Sequence, residues 1–250
     1  MTDIELIVLT CAFFVIATLY TTVGHAGASG YLAIMAIAGL APEVMRPTAL
    51  ALNILVATIT VYRFRRARFF SWHGLWPFLL GSVPLAAAGG ALRLVAGTYY
   101  LLVGIVLLAS AMLLVWRTFG KGFRHDEQGI SVNKVIAVPL GALIGLLSGL
   151  TGTGGGIFLS PIMLVLGWAG PKTAAGIAAP FIWVNSVAAL IAGSLSAGTL
   201  PAEIPWFAAA AVAGALAGTW LGLSKLSQRG LIITLALVML VAGGKLIAIA

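Results

Sequence analysis

Two short glycine-rich breaks interrupt this very apolar chain at matching places in its two halves. The first covers His25–Gly30 and the second covers Gly152–Gly156. Each break lies between a long hydrophobic segment and an unusually short one. Because lipid offers no water to a bare backbone, such breaks persist only where protein or an aqueous cavity surrounds them. Paired interruptions of this kind indicate the central binding site of a transporter.

The composition is typical of an integral membrane protein. Hydrophobic residues make up 61% of the 250 residues and charged residues only 8%, whereas about a quarter of a soluble domain is charged. The mean hydropathy is +1.12, and many apolar runs reach the roughly 20 residues that span a bilayer as a helix. We therefore predict an all-α polytopic membrane protein with about eight long transmembrane helices, two short broken or re-entrant helices and two inverted repeats.

Charged residues, glycines and prolines divide the chain into ten segments. The long segments cover Ile4–Tyr20, Arg46–Tyr62, Trp72–Leu92, Thr98–Trp116, Val132–Leu150, Thr173–Gly193, Ile204–Leu223 and Leu231–Ile249. The short segments, Tyr31–Leu40 and Ile157–Trp168, directly follow the breaks. As helices they would reach only about 15–18 Å, roughly half of the hydrocarbon core. We therefore expect half-helices or re-entrant arms at these two places.

The distribution of Lys and Arg predicts the orientation in the membrane. The loop around Arg63–Arg68 is the strongest cytoplasmic anchor under the positive-inside rule. Continuing the alternation of crossings leaves only Arg46, Arg93 and Lys245 outside among the 14 basic residues. Both termini are then expected outside, in a multi-pass protein of a prokaryotic cytoplasmic membrane.

The chain is also predicted to consist of two repeats of opposite orientation. The first repeat covers residues 1–119, the second covers residues 132–250, and residues 120–131 form a cytoplasmic linker. Two halves related by a pseudo-two-fold axis in the membrane plane are the plan of many secondary transporters. The short helices would then run outward from the membrane centre in opposite directions, with both N-termini at one central region.

Such a pair of N-termini predicts an anion site. A helix N-terminus presents unpaired N–H groups and about half a positive charge, so it binds anions without a cationic side chain. Glycine lets the backbone approach a ligand closely, and serine or threonine hydroxyls donate further hydrogen bonds. The residues predicted to contact the substrate in the two breaks are His25, Gly27, Ser29, Gly30, Thr151, Gly152, Thr153, Gly154, Gly155 and Gly156.

An alternative is that the glycines serve only helix packing. Two glycine stripes at four-residue spacing do favour packing, since small residues let membrane helices approach closely: Gly141, Gly145 and Gly149, and then Gly214, Gly218 and Gly222. The run Gly154–Gly156 differs, because three consecutive glycines fit no single helix face. It favours a ligand-contacting break.

Five further polar residues have two interpretations each. His25 is a candidate for proton coupling, because an imidazole ionises near neutral pH, or it is a neutral, hydrogen-bonded histidine. Asn53 and Asn185 lie at corresponding places in apolar segments and either line the cavity as substrate contacts or bind backbone carbonyls. Arg46 and Lys172, near the mouths of the two halves, either attract anions or are ordinary flanking charges.

The second break and its proline-led segment resemble a known family. The run Gly152-Thr153-Gly154-Gly155-Gly156, followed by Pro161 and Pro171, is similar to the sulfite exporter TauE/SafE family, also called the toluene sulfonate uptake permease family. Length, helix number and duplicated halves match over essentially the whole chain. The resemblance implies transport of sulfite, thiosulfate, sulfonates or related small organic anions, and sulfur specificity follows from it alone.

These features together predict a secondary transporter that exports a small inorganic or organosulfur anion by alternating access. The alternatives are an importer or channel for thiosulfate or small carboxylate anions, and an intramembrane enzyme using His25. No acidic residue or cysteine lies near His25 in the sequence, and this does not favour catalysis. We expect no enzymatic activity, no cofactor, no metal and no nucleic-acid partner. The lipid bilayer is the expected surrounding, and a homo-oligomer remains open.

Overall fold

The computed structural model describes residues 3–119, 130–194, 200–223 and 229–250. Over these ranges the chain forms α-helices and no strand, as predicted. The helices are α1 (Asp3–Thr22), α2 (Ala28–Ile37), α3 (Pro42–Arg66), α4 (Trp72–Ala91), α5 (Ala96–Phe119), α6 (Lys134–Thr151), α7 (Gly156–Val165), α8 (Pro171–Ser194), α9 (Ile204–Leu223) and α10 (Arg229–Ala248). Most of the predicted linker, residues 120–129, lies outside the described ranges.

Seven helices in the described part of the chain are long and apolar enough to cross a membrane. They are α1, α3, α4, α5, α6, α8 and α9. The last helix, α10, also contains 20 residues. A helix of this length spans about 30 Å, which is the thickness of the hydrocarbon core. The polytopic helical architecture is therefore confirmed.

The two short helices, α2 and α7, contain ten residues each. Both stop at a glycine in the left-handed conformation, Gly39 with φ 77° and Gly167 with φ 67°. The next residue in each case bonds back to the last helical turn, with the Leu40 N–H to the Met35 carbonyl at 3.0 Å. This glycine-based stop satisfies carbonyls that the helix end leaves free. It ends each helix three residues before the predicted boundary.

The start of α2 also differs from the prediction. It begins at Ala28 rather than Tyr31, so Ser29 and Gly30 lie in its first turn and not in the break before it. Gly27 precedes the helix with φ 104°, a conformation that glycine adopts without steric cost. The first break is therefore shorter than the sequence suggests.

Contacts between helices follow a two-fold pattern. Helix α4 packs along α6 as α9 packs along α1, and α4 contacts α8 as α9 contacts α3. Helix α2 contacts α3 and α10, while α7 contacts α8 and α5. If each helix is replaced by its counterpart five places away in the chain (α1 by α6, α2 by α7, and so on), each of these contacts becomes another contact of the same set. The pairs α3–α8 and α5–α10 are converted into themselves.

Glycines make two of these helix contacts close. Three glycines of α6 face the backbone of α4: Gly141, Gly145 and Gly149. Three glycines of α9 face the backbone of α1: Gly214, Gly218 and Gly222. A Cβ atom on Gly145 would overlap the Ser82 carbonyl oxygen, so no larger residue fits at this helix separation. The predicted packing role of both stripes is confirmed.

We expect Gly145→Leu to destabilise the protein, because the side chain would push α4 away from α6. Overpacking of this kind costs about 1–3 kcal/mol or more. Gly244→Leu is a matched control on α10, since nothing lies within 4 Å of a Cβ placed there. Thermal unfolding in detergent should show a lower midpoint for Gly145→Leu only. Equal midpoints would contradict the close α4–α6 contact.

Candidate functional site

The two breaks meet at the middle of α3. The buried Asn53 side chain accepts a hydrogen bond through Oδ1 from the Ala28 N–H, the first of α2, at 3.1 Å. Its Nδ2 donates to the Thr153 carbonyl at 3.4 Å and to Ser186 Oγ at 3.3 Å. Thr153 belongs to the second break and Ser186 to α8. One amide therefore joins both breaks and both central helices.

The backbone of the second break depends on glycine. Gly152, Gly154 and Gly155 have φ values of 84°, 75° and 77°, which L-residues with a side chain rarely adopt. In the described part of the chain, the N–H groups of Gly154, Gly155, Gly156 and Ile157 have no acceptor. Successive N–H groups in a turn of this kind form a concavity that suits an anion.

Of the hydroxyls in and beside the second break, those of Thr151 and Thr153 are hydrogen-bonded and that of Ser148 is not. Thr151 Oγ1 and Thr153 Oγ1 lie 3.0 Å apart, and Thr151 also donates to the Leu147 carbonyl at 2.7 Å. Ser148 is fully buried and its Oγ has no partner among the described residues. Its Cβ lies 3.4 Å from the place that a Cβ would take on Gly155. Sequence reasoning missed Ser148, whose only signal is a serine one turn before the break.

The first break is enclosed by aromatic side chains. The Tyr20 hydroxyl lies 2.8 Å from Ser29 Oγ and donates to Met239 Sδ at 3.2 Å. The Tyr31 ring covers Gly27, and a Cβ on Gly30 would meet Ile16 and Tyr20. Gly30 thus permits close packing of α2 on α1. The Tyr20 and Ser29 hydroxyls are bonded to each other, whereas the buried Tyr31 hydroxyl has no partner among the described residues.

His25 and Asn185 occupy different settings. His25 is 2% exposed, and its Nε2 lies 3.0 Å from Ser160 Oγ on α7, so it links the first break to the second short helix. Asn185 Nδ2 donates to the Phe181 carbonyl of its own helix at 2.9 Å. Counted from the proline that begins each helix, Asn185 lies three positions further along α8 than Asn53 along α3. The two amides therefore do not occupy the corresponding places that the sequence predicts.

A cavity of about 400 Å³, named here the first vestibule, opens at the N-terminal end of α3. Glu43, Arg46, Leu50, Arg93, Tyr99 and Leu190 are among its lining residues. Arg46 contacts the start of the second break, since a Cβ on Gly152 would lie 3.2 Å from Arg46 Cγ. The Tyr99 hydroxyl donates to the Thr151 carbonyl at 3.0 Å. The first vestibule thus reaches the edge of the second break.

A second cavity of about 20 Å³, the second vestibule, lies at the N-terminal end of α8. It is lined by Thr22, Val23, Phe64, Pro171, Lys172, Ala175 and Gly222. Because Phe64 is near the end of α3 and Leu50 is 14 residues earlier, the two vestibules lie about 21 Å apart along this helix. They open at opposite ends of the α3–α8 pair, with the breaks between them.

The two vestibules occupy equivalent positions. Pro42 and Pro171 begin α3 and α8, and Gly90 and Gly222 are the last residues but one of α4 and α9. Phe64 is the twenty-third residue of α3, and its counterpart in α8 is Gly193, which lines the first vestibule. The buried Phe64 ring therefore fills the second vestibule, whereas Gly193, at the equivalent position, leaves the first vestibule open. Arg46 and Lys172 line opposite vestibules.

Comparison with known proteins identifies the family. A model of the sulfite exporter TauE/SafE family matches residues 9–246. The chain is 38% identical over 249 residues to "Probable membrane transporter protein y4hK" of Sinorhizobium fredii, covering 98% of this chain and 99% of that protein. The chain belongs to the TauE/SafE family. No solved structure matches it. The suspected resemblance is confirmed, and the protein is a multi-pass membrane transporter.

Arg46 and Lys245 of this TauE/SafE transporter bind carbonyl groups at helix ends. The sequence predicts both residues on the outer side. Arg46 donates to the Leu92 carbonyl at 2.8 Å and to the Gly89 and Gly90 carbonyls at 2.6 Å. Lys245 donates to the Ala36 and Ile37 carbonyls at 3.0 and 2.7 Å. A cation at a helix C-terminus satisfies free carbonyls and the negative end of the dipole. These contacts give both residues a structural role at the ends of α4 and α2.

Arg46→Met should lower the stability of the transporter by about 1–3 kcal/mol, because carbonyls at the end of α4 lose charged donors. Arg93→Met, at an exposed residue lining the same vestibule, is the matched control. The thermal unfolding midpoint in detergent should fall for Arg46→Met and stay near the wild-type value for Arg93→Met. If both variants unfold at the wild-type temperature, Arg46 is not a helix cap.

Proposed function

We propose that this TauE/SafE transporter carries a small anion and binds it at the second break. The supporting observation is the run of four backbone N–H groups at Gly154–Ile157 that have no acceptor in the described part of the chain. These donors lie at the N-terminus of α7, where the helix dipole favours negative charge. Donors left unpaired in a buried place are costly unless a ligand or water binds them.

The first vestibule provides the route to this place. Its floor includes Leu50 and Ala189, and on the same helix faces Asn53 and Ser186 lie one turn, or about 5 Å, deeper. Both of these deeper residues flank Gly154. Arg46 and Arg93 outnumber Glu43 among the charged lining residues, so the vestibule carries positive charge that attracts anions.

The unequal vestibules support alternating access. Residues 1–119 and 132–250 act in this proposal as inverted repeats, and both termini lie outside the cell. The first vestibule then opens outward, and the second is closed on the cytoplasmic side by Phe64. Rocking of one repeat against the other would exchange the two arrangements around a fixed central site.

Export of the anion is favoured energetically. With the cytoplasm electrically negative, outward movement of a monoanion gains about 2.3 kcal/mol per 100 mV. Transport can therefore proceed without a coupled ion, and it involves no enzymatic step. Family membership favours sulfite or a sulfonate as the cargo. A pyramidal or tetrahedral oxyanion has the several acceptor atoms that a cluster of four N–H donors can bind.

Counterflow of radiolabelled sulfite into proteoliposomes under anaerobic conditions tests the function. We expect saturable uptake with the wild type and at least a tenfold loss with Gly155→Ala, whose Cβ would lie at a left-handed φ, 2.7 Å from Ile144 and 3.0 Å from Phe181. Gly244→Ala, in open space on α10, should transport normally. Absence of flux for sulfite, methanesulfonate and thiosulfate with folded wild-type protein would refute the proposal, and unsaturable flux would indicate a channel.

Cysteine labelling tests the assignment of the vestibules. In a Cys11→Ser background, a water-soluble maleimide should label Leu190→Cys of the first vestibule at least ten times faster than Ala175→Cys of the second. Adding Phe64→Ala should accelerate labelling at residue 175, because the phenylalanine ring no longer fills that cavity. Phe14→Ala removes a phenylalanine that is 40% exposed on α1 and should have no effect. Equal rates at both positions without Phe64→Ala would contradict alternating access from this conformation.

A further inference from the structure

The two breaks differ in how their backbone donors are used. At the first break, Asn53 Oδ1 binds the Ala28 N–H at 3.1 Å, and the Ser29 hydroxyl is bound to Tyr20 at 2.8 Å. At the second break, the first helical residue is Gly156, and its N–H has no acceptor in the described ranges; the N–H groups of the second helical residues, Ser29 and Ile157, have none at either break. The Asn53 side-chain oxygen therefore binds the first N–H of α2, whereas no described residue binds the first N–H of α7.

Ser148 supplies a second and independent observation at α7. Its hydroxyl is fully buried, has no partner among the described residues, and belongs to a side chain packed against Gly155. A buried hydroxyl without a partner loses its hydrogen bonds to water and gains none in return. An oxyanion bound by the N–H groups of Gly154–Ile157 would accept the hydrogen bond that Ser148 lacks.

Asn53 contacts both breaks, with Oδ1 at the first and Nδ2 at the second. Its Nδ2 bonds of 3.3 and 3.4 Å to Ser186 and Thr153 are at the long limit for hydrogen bonds, so they are weak. A Cβ on Gly154 would overlap this same nitrogen, which places Nδ2 directly on the second break. An anion there can accept from Nδ2 while Oδ1 stays on α2.

We propose that the transporter has a single anion seat, made of the N–H groups of Gly154–Ile157, the Ser148 hydroxyl and Asn53 Nδ2. In this arrangement the Asn53 amide oxygen is a permanent internal substitute for the anion at α2. The inference rests on the proposed anion transport and replaces a ligand shared by both helix tips with one bound at the second break. The seat suits a small oxyanion such as sulfite or a sulfonate headgroup.

Binding of sulfite to the purified full-length protein tests the role of Ser148. Isothermal titration under anaerobic conditions, at constant ionic strength, should show at least a fivefold higher Kd for Ser148→Ala. The unfolding temperature without anion should not fall, because the hydroxyl has no bond to lose. Ser82→Ala is the matched control, since Ser82 is also a buried serine on the α4–α6 contact with an unpartnered hydroxyl. Its Kd should equal that of the wild type.

Asn53→Asp tests the division of the amide between the two breaks. A carboxylate oxygen still accepts from the Ala28 N–H, so the protein should remain folded. The variant loses the Nδ2 donor and places negative charge beside Gly154, so sulfite binding should become undetectable. Circular dichroism and the elution volume in size-exclusion chromatography report on folding independently of binding.

Three outcomes would overturn the inference. Ser148→Ala or Asn53→Asp could bind sulfite as the wild type does, or Ser29→Ala could weaken binding as strongly as Ser148→Ala. The last result would show that residues of both breaks bind the anion. If wild-type proteoliposomes still transport sulfite, the transport function stands and only the single seat is wrong. If the wild type neither binds nor transports any tested anion, both proposals fail.

Discussion

A backbone N–H or C=O group inside a bilayer must find a partner within the protein, and the centre of this transporter is organised by that requirement. Two interrupted helix pairs leave several such groups buried inside the protein. Asn53, buried between α3 and α8, satisfies one donor of the first break and one acceptor of the second. Arg46 and Lys245 do the same for the C-terminal carbonyls of α4 and α2. The N–H groups of Gly154–Ile157 have no acceptor in the described part of the chain, and the function proposed for the molecule rests on these donors.

Close helix approach is the second requirement that the chain meets. Lipid tails are as apolar as leucine, so helices gain little from hiding apolar surface from one another, and packing must come from intimate contact. The stripe centred on Gly145 and the stripe centred on Gly218 provide this contact, each against a helix of the other half. The central helices α3 and α8 are held between these two pairs. The geometry around Asn53 therefore depends on glycines that lie well away from it.

The sequence predicted the elements better than it predicted the contacts. Ten segments, the short lengths of α2 and α7 and the two packing stripes were accessible because hydropathy, length and four-residue glycine spacing act locally. Helix ends at Ile37 and Val165 were misjudged, since the stop depends on the left-handed Gly39 and Gly167. Ser148, Ser160 and Ser186 escaped notice because a single serine in an apolar helix has no signature. The offset of Asn185 from Asn53 depends on where α3 and α8 begin, and the filling of one vestibule by Phe64 emerges only from tertiary positions.

The exchange of partners between the halves has a consequence for biogenesis. Helices leave the ribosome in order, and α1 and α4 enter the membrane before α9 and α6, against which they pack. Residues 1–119 by themselves therefore expose to lipid the backbone surfaces that glycines will later cover. The helices of the first half therefore cannot complete their packing until the second half is synthesised. Final assembly is in this sense a late event that joins the whole polypeptide, rather than the docking of two finished modules.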